Sequence, residues 1–174
     1  MNTTLCTIGF AGKTAEEFFF LLTQAGVKRL IDIRENRQGQ LSGFAKYPDV
    51  VFFLDRIAGI EYTWEPRLAP TPEIRKAYRA TKNWDIYEAS FLQLMRERDI
   101  PRALEPLELD GALAFLCSEP GPEKCHIRLV AELFAEYSRG HGQTVEIHHL
   151  VAAKRGPPRS TKKRQAGHEG TPDQ

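Results

Sequence analysis

Cysteine is scarce in this sequence, and long apolar runs are missing from it. Three cysteines at scattered positions are too few for a disulfide framework, which favours a reducing compartment. No apolar run approaches the roughly 18 residues that span a bilayer. No small-residue cleavage pattern follows the apolar segment 18–22, so a signal peptide is not indicated. We therefore expect a cytoplasmic protein that makes no membrane contact.

The whole chain has no large excess of positive or negative charge: 24 Lys and Arg against 23 Asp and Glu give a net charge of +1. Residues 154–174 hold six basic and two acidic side chains, or +4, which leaves −3 for residues 1–153. The segment 154–174 has almost no large apolar residues, so burial cannot offset the entropy that it would lose on ordering. We expect one domain over 1–153 and a disordered basic tail over 154–174.

The basic tail could add salt-dependent affinity for nucleic acid, because Lys and Arg release counterions when they neutralise phosphates. A solvated tail that binds no specific partner is the alternative.

Apolar, β-branched runs alternate with helical patterns along the chain. The predicted strands are 4–10, 28–34, 60–64, 112–117 and 143–150. The predicted helices are 14–25, 48–58, 73–80, 84–98 and 124–139. Thr14 and Glu17 have the spacing of a capping box at the start of the first helix. This alternation predicts βαβ units, and hence an α/β fold: a single domain with a mostly parallel five-stranded sheet flanked by helices, Rossmann-like. With 41% hydrophobic residues, the chain can bury such a core.

Polar residues concentrate where the predicted strands end, and ligands of open parallel sheets bind beyond those ends. The residues concerned are Gly9, Gly12, Lys13, Asp32, Arg34, Arg37, Cys117, Glu119, Cys125, His126, His148 and His149. Their loops converge on one crevice if the second and fourth strands flank the first, an order that we assume. His148 and His149 point to opposite faces, so at most one can reach that crevice.

Four parts of the sequence carry a family resemblance. They are 7–14 (TIGFAGKT), Asp32-Ile-Arg34, 42–46 (SGFAK) with 71–75 (TPEIR), and Cys117-Ser-Glu119 followed by Cys125-His126. They resemble the family called Domain of Unknown Function 488 over roughly residues 4–150, and the Cys-x-Glu…Cys-His part is the specific one. The family's name supplies no reaction.

One position departs from the family pattern. Members usually follow Cys-His directly with Arg, whereas this chain has Ile127 and then Arg128. A shift of one residue on a helix rotates a side chain by about 100°.

The turn from Gly9 to Gly12, with Lys13 after it, could bring backbone N–H groups to a phosphate at the start of the first helix. It matches neither a dinucleotide fingerprint nor a Walker loop, and a tight turn into a helix is the alternative.

Cys125 lies near a predicted helix start and beside His126, two features that lower the pKa of a thiol and favour a nucleophile. The Cys-x-x-Arg segment is too short for the five-residue loops of rhodaneses and cysteine phosphatases. A small buried hydrophobe is the alternative for Cys125, and it suits Cys117 better. Cys117, Cys125 and His126, with Glu119, could instead hold zinc or iron. Adjacent Cys-His pairs rarely reach one ion, however, and no Cys-x-x-Cys occurs.

Asp32 and Arg34 lie on one face of a strand by its period of two. They could serve as a general base or ribose ligand and as a clamp for phosphate, or they could form a structural ion pair. Trp64 and Trp84 are interpreted as packing residues rather than platforms for bases.

The leading hypothesis is a small cytosolic enzyme that acts on a phosphate-bearing or nucleoside-like ligand. The candidate catalytic residues are Cys125, His126, Glu119 and Asp32. The candidate ligand-binding residues are Gly9, Gly12, Lys13, Arg34, Cys117 and Arg128. The alternatives are a non-catalytic module that binds a ligand or nucleic acid, and a metal site at Cys117, Cys125 and His126. The residues do not specify a cofactor or an oligomeric state.

Overall fold

A computed structural model describes residues 2–39, 42–100 and 111–152 of the chain. Its strands are β1 (Asn2–Gly9), β2 (Val27–Asp32), β3 (Glu61–Trp64), β4 (Ala112–Cys117) and β5 (Thr144–Leu150). Its helices are α1 (Ala15–Gln24), α2 (Asp49–Phe53), α3 (Pro72–Thr81), α4 (Trp84–Glu97) and α5 (His126–Gly140). The expected tail 154–174 and the domain boundary at 153 lie outside the described residues.

The five strands form one sheet in the order β3-β2-β4-β1-β5, and every pair is parallel. The predicted α/β fold is therefore confirmed. The assumed strand order is wrong, because β4 lies between β1 and β2. β4 is buried without interruption from Leu113 to Cys117, and such a run is stable only where neighbours and helices cover it on all sides. The central place of β4 puts the loops after β2 and β4 side by side.

Each face of the sheet has its own hydrophobic core, because successive side chains of a strand point to opposite faces. One core joins alternate residues of the strands to α4 and α5, and includes Leu5, Ile31, Phe115, Cys117, Phe91, Cys125, Leu129 and Phe134. The other joins the intervening residues to α1 and α2, and includes Cys6, Ile8, Leu30, Leu116, Phe18, Leu22 and Val50. The sheet is thus the middle layer of three.

Local signals set most helix ends. The Thr14 hydroxyl accepts from the backbone N–H of Glu17, whose carboxylate accepts from the backbone of Thr14, as the predicted capping box requires. The predicted helix 48–58 is instead α2 followed by a π-helical turn, Leu54–Ala58. α5 begins two residues later than predicted, because Lys124 has a positive φ of 52° and Cys125 is extended as the N-cap residue.

Within the described ranges, no helix is long and apolar enough to cross a membrane.

Candidate functional site

A cleft of about 340 Å³ opens at the carboxyl ends of β2 and β4. Its walls come from the loop after β2, the loop between β4 and α5, the start of α5, the helix α3 and one residue of α4. The lining residues used below are Arg34, Glu35, Arg75, Tyr78, Arg79, Lys82, Tyr87, Glu119, Lys124, Cys125 and His126. Four of the sequence-predicted residues therefore line one site: Arg34, Glu119, Cys125 and His126.

Two buried thiols meet at the floor of this cleft. The Sγ atoms of Cys117, the last residue of β4, and Cys125, the N-cap residue of α5, lie 3.4 Å apart. Only Cys125 lines the cleft; Cys117 lies behind it, with no exposed surface. The Nδ1 atom of His126 lies 3.9 Å from the Cys125 sulfur.

The surroundings of the two sulfurs favour Cys125 as the thiolate of the pair. The hydrogen bond between the two thiols, then the neighbouring His126 and the backbone N–H of Ile127, outweigh burial and lower the pKa of Cys125 to about 5. The bond with Cys125, followed by burial, raises the pKa of Cys117 well above its usual value. Burial alone raises the pKa of Cys6 to about 11. The prediction that Cys125 is the most nucleophilic thiol stays a prediction, now with this geometry behind it.

Glu119 contributes a carboxyl group whose pKa is raised. Burial of the carboxyl is the main cause and the nearby Cys125 adds to it, while His126 opposes both. The residue as a whole is exposed at the cleft wall, so its carboxyl can exchange protons with water. A carboxyl of this kind can act as a general acid or base nearer neutral pH than an ordinary glutamate.

Asp32 does not line the cleft, although the sequence placed it among the catalytic candidates. Its carboxylate is fully buried and accepts from the backbone, Nε and Nη2 of Arg34, at 3.1, 2.8 and 2.6 Å, and from the Tyr62 hydroxyl at 2.7 Å. Arg34 Nη2 also donates to the Ala45 carbonyl. Asp32 therefore holds Arg34 in place and has no exposed oxygen for a substrate.

The turn after β1 supports the loop after β4 rather than lining the cleft. A Cβ on Gly9 would lie 1.5 Å from the Glu119 carbonyl oxygen, so only glycine permits this approach. The buried Lys13 donates to the Pro120 carbonyl at 3.1 Å, and burial lowers its pKa. Gly12 has a φ of 74°, which only glycine adopts readily. These three predicted ligand-binding residues thus position the segment that carries Glu119.

Arg128 also lies away from the cleft. It pairs with Glu132 at 2.8 Å and Glu88 at 3.4 Å, and its guanidinium lies 5.9 Å from the Trp84 ring centre. The residue that follows His126, Ile127, is instead buried in the core.

The paired histidines of β5 do not line the cleft either. His149 Nδ1 lies 2.7 Å from the Thr7 hydroxyl, and His148 pairs with Glu146 at 2.9 Å. Trp64 is 42% exposed and, with Tyr47, covers Arg37.

The basic wall on α3 escaped the sequence analysis. Arg75 and Arg79 of α3 line the cleft and, four residues apart, lie on one helical face; Lys82, the C-cap residue of α3 with a φ of 54°, lines it as well. That spacing is the signal that could have found them. Arg75 pairs with Glu35, and its buried Nε has no hydrogen-bond partner in the described part of the chain.

Among the residues that the structure describes, no group of three or more His, Cys, Asp and Glu side chains is arranged to hold a metal ion. The buried His126 Nε2 has no protein partner there either. The donors of the sequence-based metal alternative, Cys117, Cys125 and His126, thus form no such group among the described residues.

A family model described as "Domain of unknown function DUF488" matches residues 14–134. No match is found among curated proteins or among solved structures.

Proposed function

The chain belongs to the family described as Domain of unknown function DUF488, and from its cleft we propose that it is an enzyme that acts through the Cys125 thiolate on a small anionic ligand. Phosphate-bearing molecules are the class of ligand that we favour. The observation that carries the proposal is the position of Cys125. It is a low-pKa thiol at a helix start, on the floor of a cleft whose charged lining residues are mainly cationic.

The charge of the lining supports an anionic ligand. Five cationic side chains (Arg34, Arg75, Arg79, Lys82, Lys124) face two carboxylates (Glu35, Glu119), a difference of three charges. Within the described ranges, Arg79, Lys82 and Lys124 form no ion pair. Cations left without carboxylate partners around a concave site attract phosphate or carboxylate groups.

The N-terminus of α5 adds to this attraction. Its first turn contains no acidic residue, so the free backbone N–H groups beside Cys125 face no competing side-chain carboxylate on their own helix. These N–H groups stabilise negative charge on the Cys125 sulfur and on a ligand oxygen close to it.

Each cleft residue then has a role. Cys125 supplies the nucleophile, and Cys117 and His126 hold it as a thiolate. Glu119, whose pKa is raised, donates a proton to the leaving group or takes one from an attacking water. Arg34, fixed by Asp32, and the α3 cations bind the anionic group.

Alkylation by iodoacetamide tests the proposal without knowledge of the substrate. At pH 6, where a free thiol of ordinary pKa is almost wholly protonated, Cys125 should be alkylated first and faster than such a thiol, with Cys6 and Cys117 following slowly. Inorganic phosphate should slow this reaction several-fold, whereas sodium chloride at matched ionic strength should not. Preferential labelling of Cys6 or Cys117, or equal protection by both salts, would rule the proposal out.

A non-catalytic binding module is the second candidate. Its support is the 2% exposure of Cys125, which leaves little sulfur surface for an incoming electrophile. In that case phosphate would still bind, but iodoacetamide would alkylate Cys125 no faster than an ordinary thiol.

A further inference from the structure

We propose that Cys117 and Cys125 work as a dithiol pair in thiol–disulfide exchange with small anionic disulfides. Cys125 takes up one half of the disulfide, and Cys117 releases it by closing a Cys117–Cys125 bond. The proposal rests on the thiol chemistry of Cys125 argued above and assigns that chemistry a class of substrate.

The distance between the two sulfurs is the first support. Their separation of 3.4 Å exceeds a disulfide bond of about 2.0 Å by only about 1.4 Å. No bond joins the two sulfurs in this structure. Cys125 is the N-cap residue of α5, where the chain leaves a loop, and a side-chain rotation there disturbs no strand.

The second support is the difference in exposure between the two thiols, which gives them different roles in the reaction. Cys125 lines the cleft, whereas Cys117 has no exposed surface and ends the central strand. A molecule in the cleft therefore meets Cys125 first. Among the described residues, Cys125 is the thiol that the Cys117 sulfur contacts, which is the arrangement that a resolving thiol requires.

The contacts of the Cys117 sulfur are the third support. Among the described residues, this sulfur makes one polar contact besides that with Cys125, to the Glu119 carbonyl oxygen at 4.0 Å. That contact is longer than the 3.4 Å between the two sulfurs, so the step toward Cys125 breaks no shorter polar contact.

The reaction proceeds in two balanced steps. The Cys125 thiolate attacks one sulfur of R–S–S–R, so that a Cys125–S–S–R bond forms and RS⁻ leaves. The Cys117 sulfur then attacks the Cys125 sulfur and forms the Cys117–Cys125 disulfide, and the second RS⁻ leaves with the Cys117 proton as RSH. The protein dithiol is oxidised and the small disulfide is reduced to two thiols. A small thiol in excess reverses both steps.

The cationic walls select the substrate. Arg79, Lys82 and Lys124 attract a disulfide that carries carboxylate groups, and the aromatic rings of Tyr78 and Tyr87 offer apolar surface to the rest of it. The disulfide of 5-thio-2-nitrobenzoate has these properties, and its release is coloured. The neutral dithiodipyridine provides a comparison without carboxylates.

The test uses the full chain with Cys6→Ser, so that only the pair reacts. Addition of the nitrobenzoate disulfide should release two coloured thiolates for each protein molecule and leave the protein lighter by two hydrogens, with no adduct. Cys117→Ser in the same background should release one and keep the mixed adduct. Cys125→Ser should lose the fast reaction. Trypsin cleaves after Lys124, so a Cys117–Cys125 disulfide would join two separable peptides.

Two results separate this inference from the proposed function. If Cys125 reacts first but the wild-type pair keeps the mixed adduct, the dithiol inference is overturned while the thiolate enzyme stands. If Cys125 reacts slowly with both the nitrobenzoate disulfide and iodoacetamide, the proposed function falls as well. Should Cys117→Ser fail to fold, the peptide map of the protein with both thiols decides the matter.

Discussion

Asp32 and Arg34 form a two-pronged, buried ion pair at the end of β2, with N–O distances of 2.8 and 2.6 Å. The carboxylate is fully buried and the guanidinium is 6% exposed. The ion pair links the interior to the cleft: Arg34 lines the cleft, and Asp32 lies behind it. Asp32 is therefore a positioning residue for Arg34, and the pair is a sensitive point of the fold.

Replacing Asp32 by Asn should lower the free energy of unfolding by about 3 kcal/mol, because the buried Arg34 charge would lose its partner. Urea unfolding of the folded variant would measure the loss. Glu61→Gln is the matched control. It breaks the Arg29–Glu61 pair, whose side chains are 32% and 70% exposed, and should cost less than about 1 kcal/mol. Similar losses in the two variants would contradict the structural role of Asp32.

Gly9→Ala should displace the loop after β4, since the new Cβ would overlap the Glu119 carbonyl oxygen. The shift of backbone should cost about 1–3 kcal/mol of stability and slow the alkylation of Cys125. Gly140→Ala, where no atom lies within 4 Å, serves as the control and should leave both unchanged or stabilise the helix slightly. Unaltered stability and labelling in Gly9→Ala would show that the loop adapts without strain.

The stability that Cys125 contributes should depend on pH. Its pKa is about 5 in the folded protein and 9.0 for an ordinary thiol, so in that window the unfolded chain holds a proton that the folded chain lacks. The free energy of unfolding of the wild type, relative to Cys125→Ala, should therefore rise with pH from 5 to 9, by at most about 1.4 kcal/mol per pH unit.

The stability that Cys6 contributes should change with pH in the opposite direction, and Cys6→Ala is the variant that measures it. The pKa of Cys6 is about 11 in the folded protein, so its contribution should be constant below pH 8 and should fall above pH 9. Matched unfolding curves at several pH values would measure both. A flat difference for Cys125→Ala between pH 5 and 9 would mean that Cys125 is not a thiolate.

The potential in the cleft can be measured with two alkylating agents that differ in charge. The ratio of the Cys125 rate constants for anionic iodoacetate and neutral iodoacetamide should fall several-fold in Arg79→Glu and in Lys82→Glu, and less at high salt. Lys76→Glu is the control, since Lys76 is exposed on the same helix but does not line the cleft. An equal fall in all three variants would mean that net charge, rather than the cleft wall, sets the ratio.

Much of the fold could be predicted from local sequence patterns. The capping box at Thr14–Glu17, the apolar run of β4 and the alternation of strands and helices depend on neighbours within a few residues, and each was confirmed. The helix at 48–58 was predicted less well, because its change from α to π geometry produces no distinct local sequence pattern.

The residues of the candidate site could be predicted only in part from the sequence. Strand-end positions pointed to Arg34, Glu119, Cys125 and His126, which line one cleft, but also to Gly9, Gly12 and Lys13, which do not. A position after a strand says that a residue lies near the sheet edge. It does not say whether a glycine there meets a ligand or the carbonyl of a neighbouring loop.

The sequence by itself determined the α/β class, the element boundaries to within a few residues, and the sheet edge at which polar side chains gather. Only the tertiary structure decided the strand order, the use of Asp32 by Arg34 and Tyr62, the basic wall of α3, and the 3.4 Å contact of Cys117 with Cys125. The physical reason is the distance along the chain over which each kind of interaction acts. Periodicity and capping act between residues a few positions apart, whereas these contacts join segments that meet only when both faces of the sheet are packed.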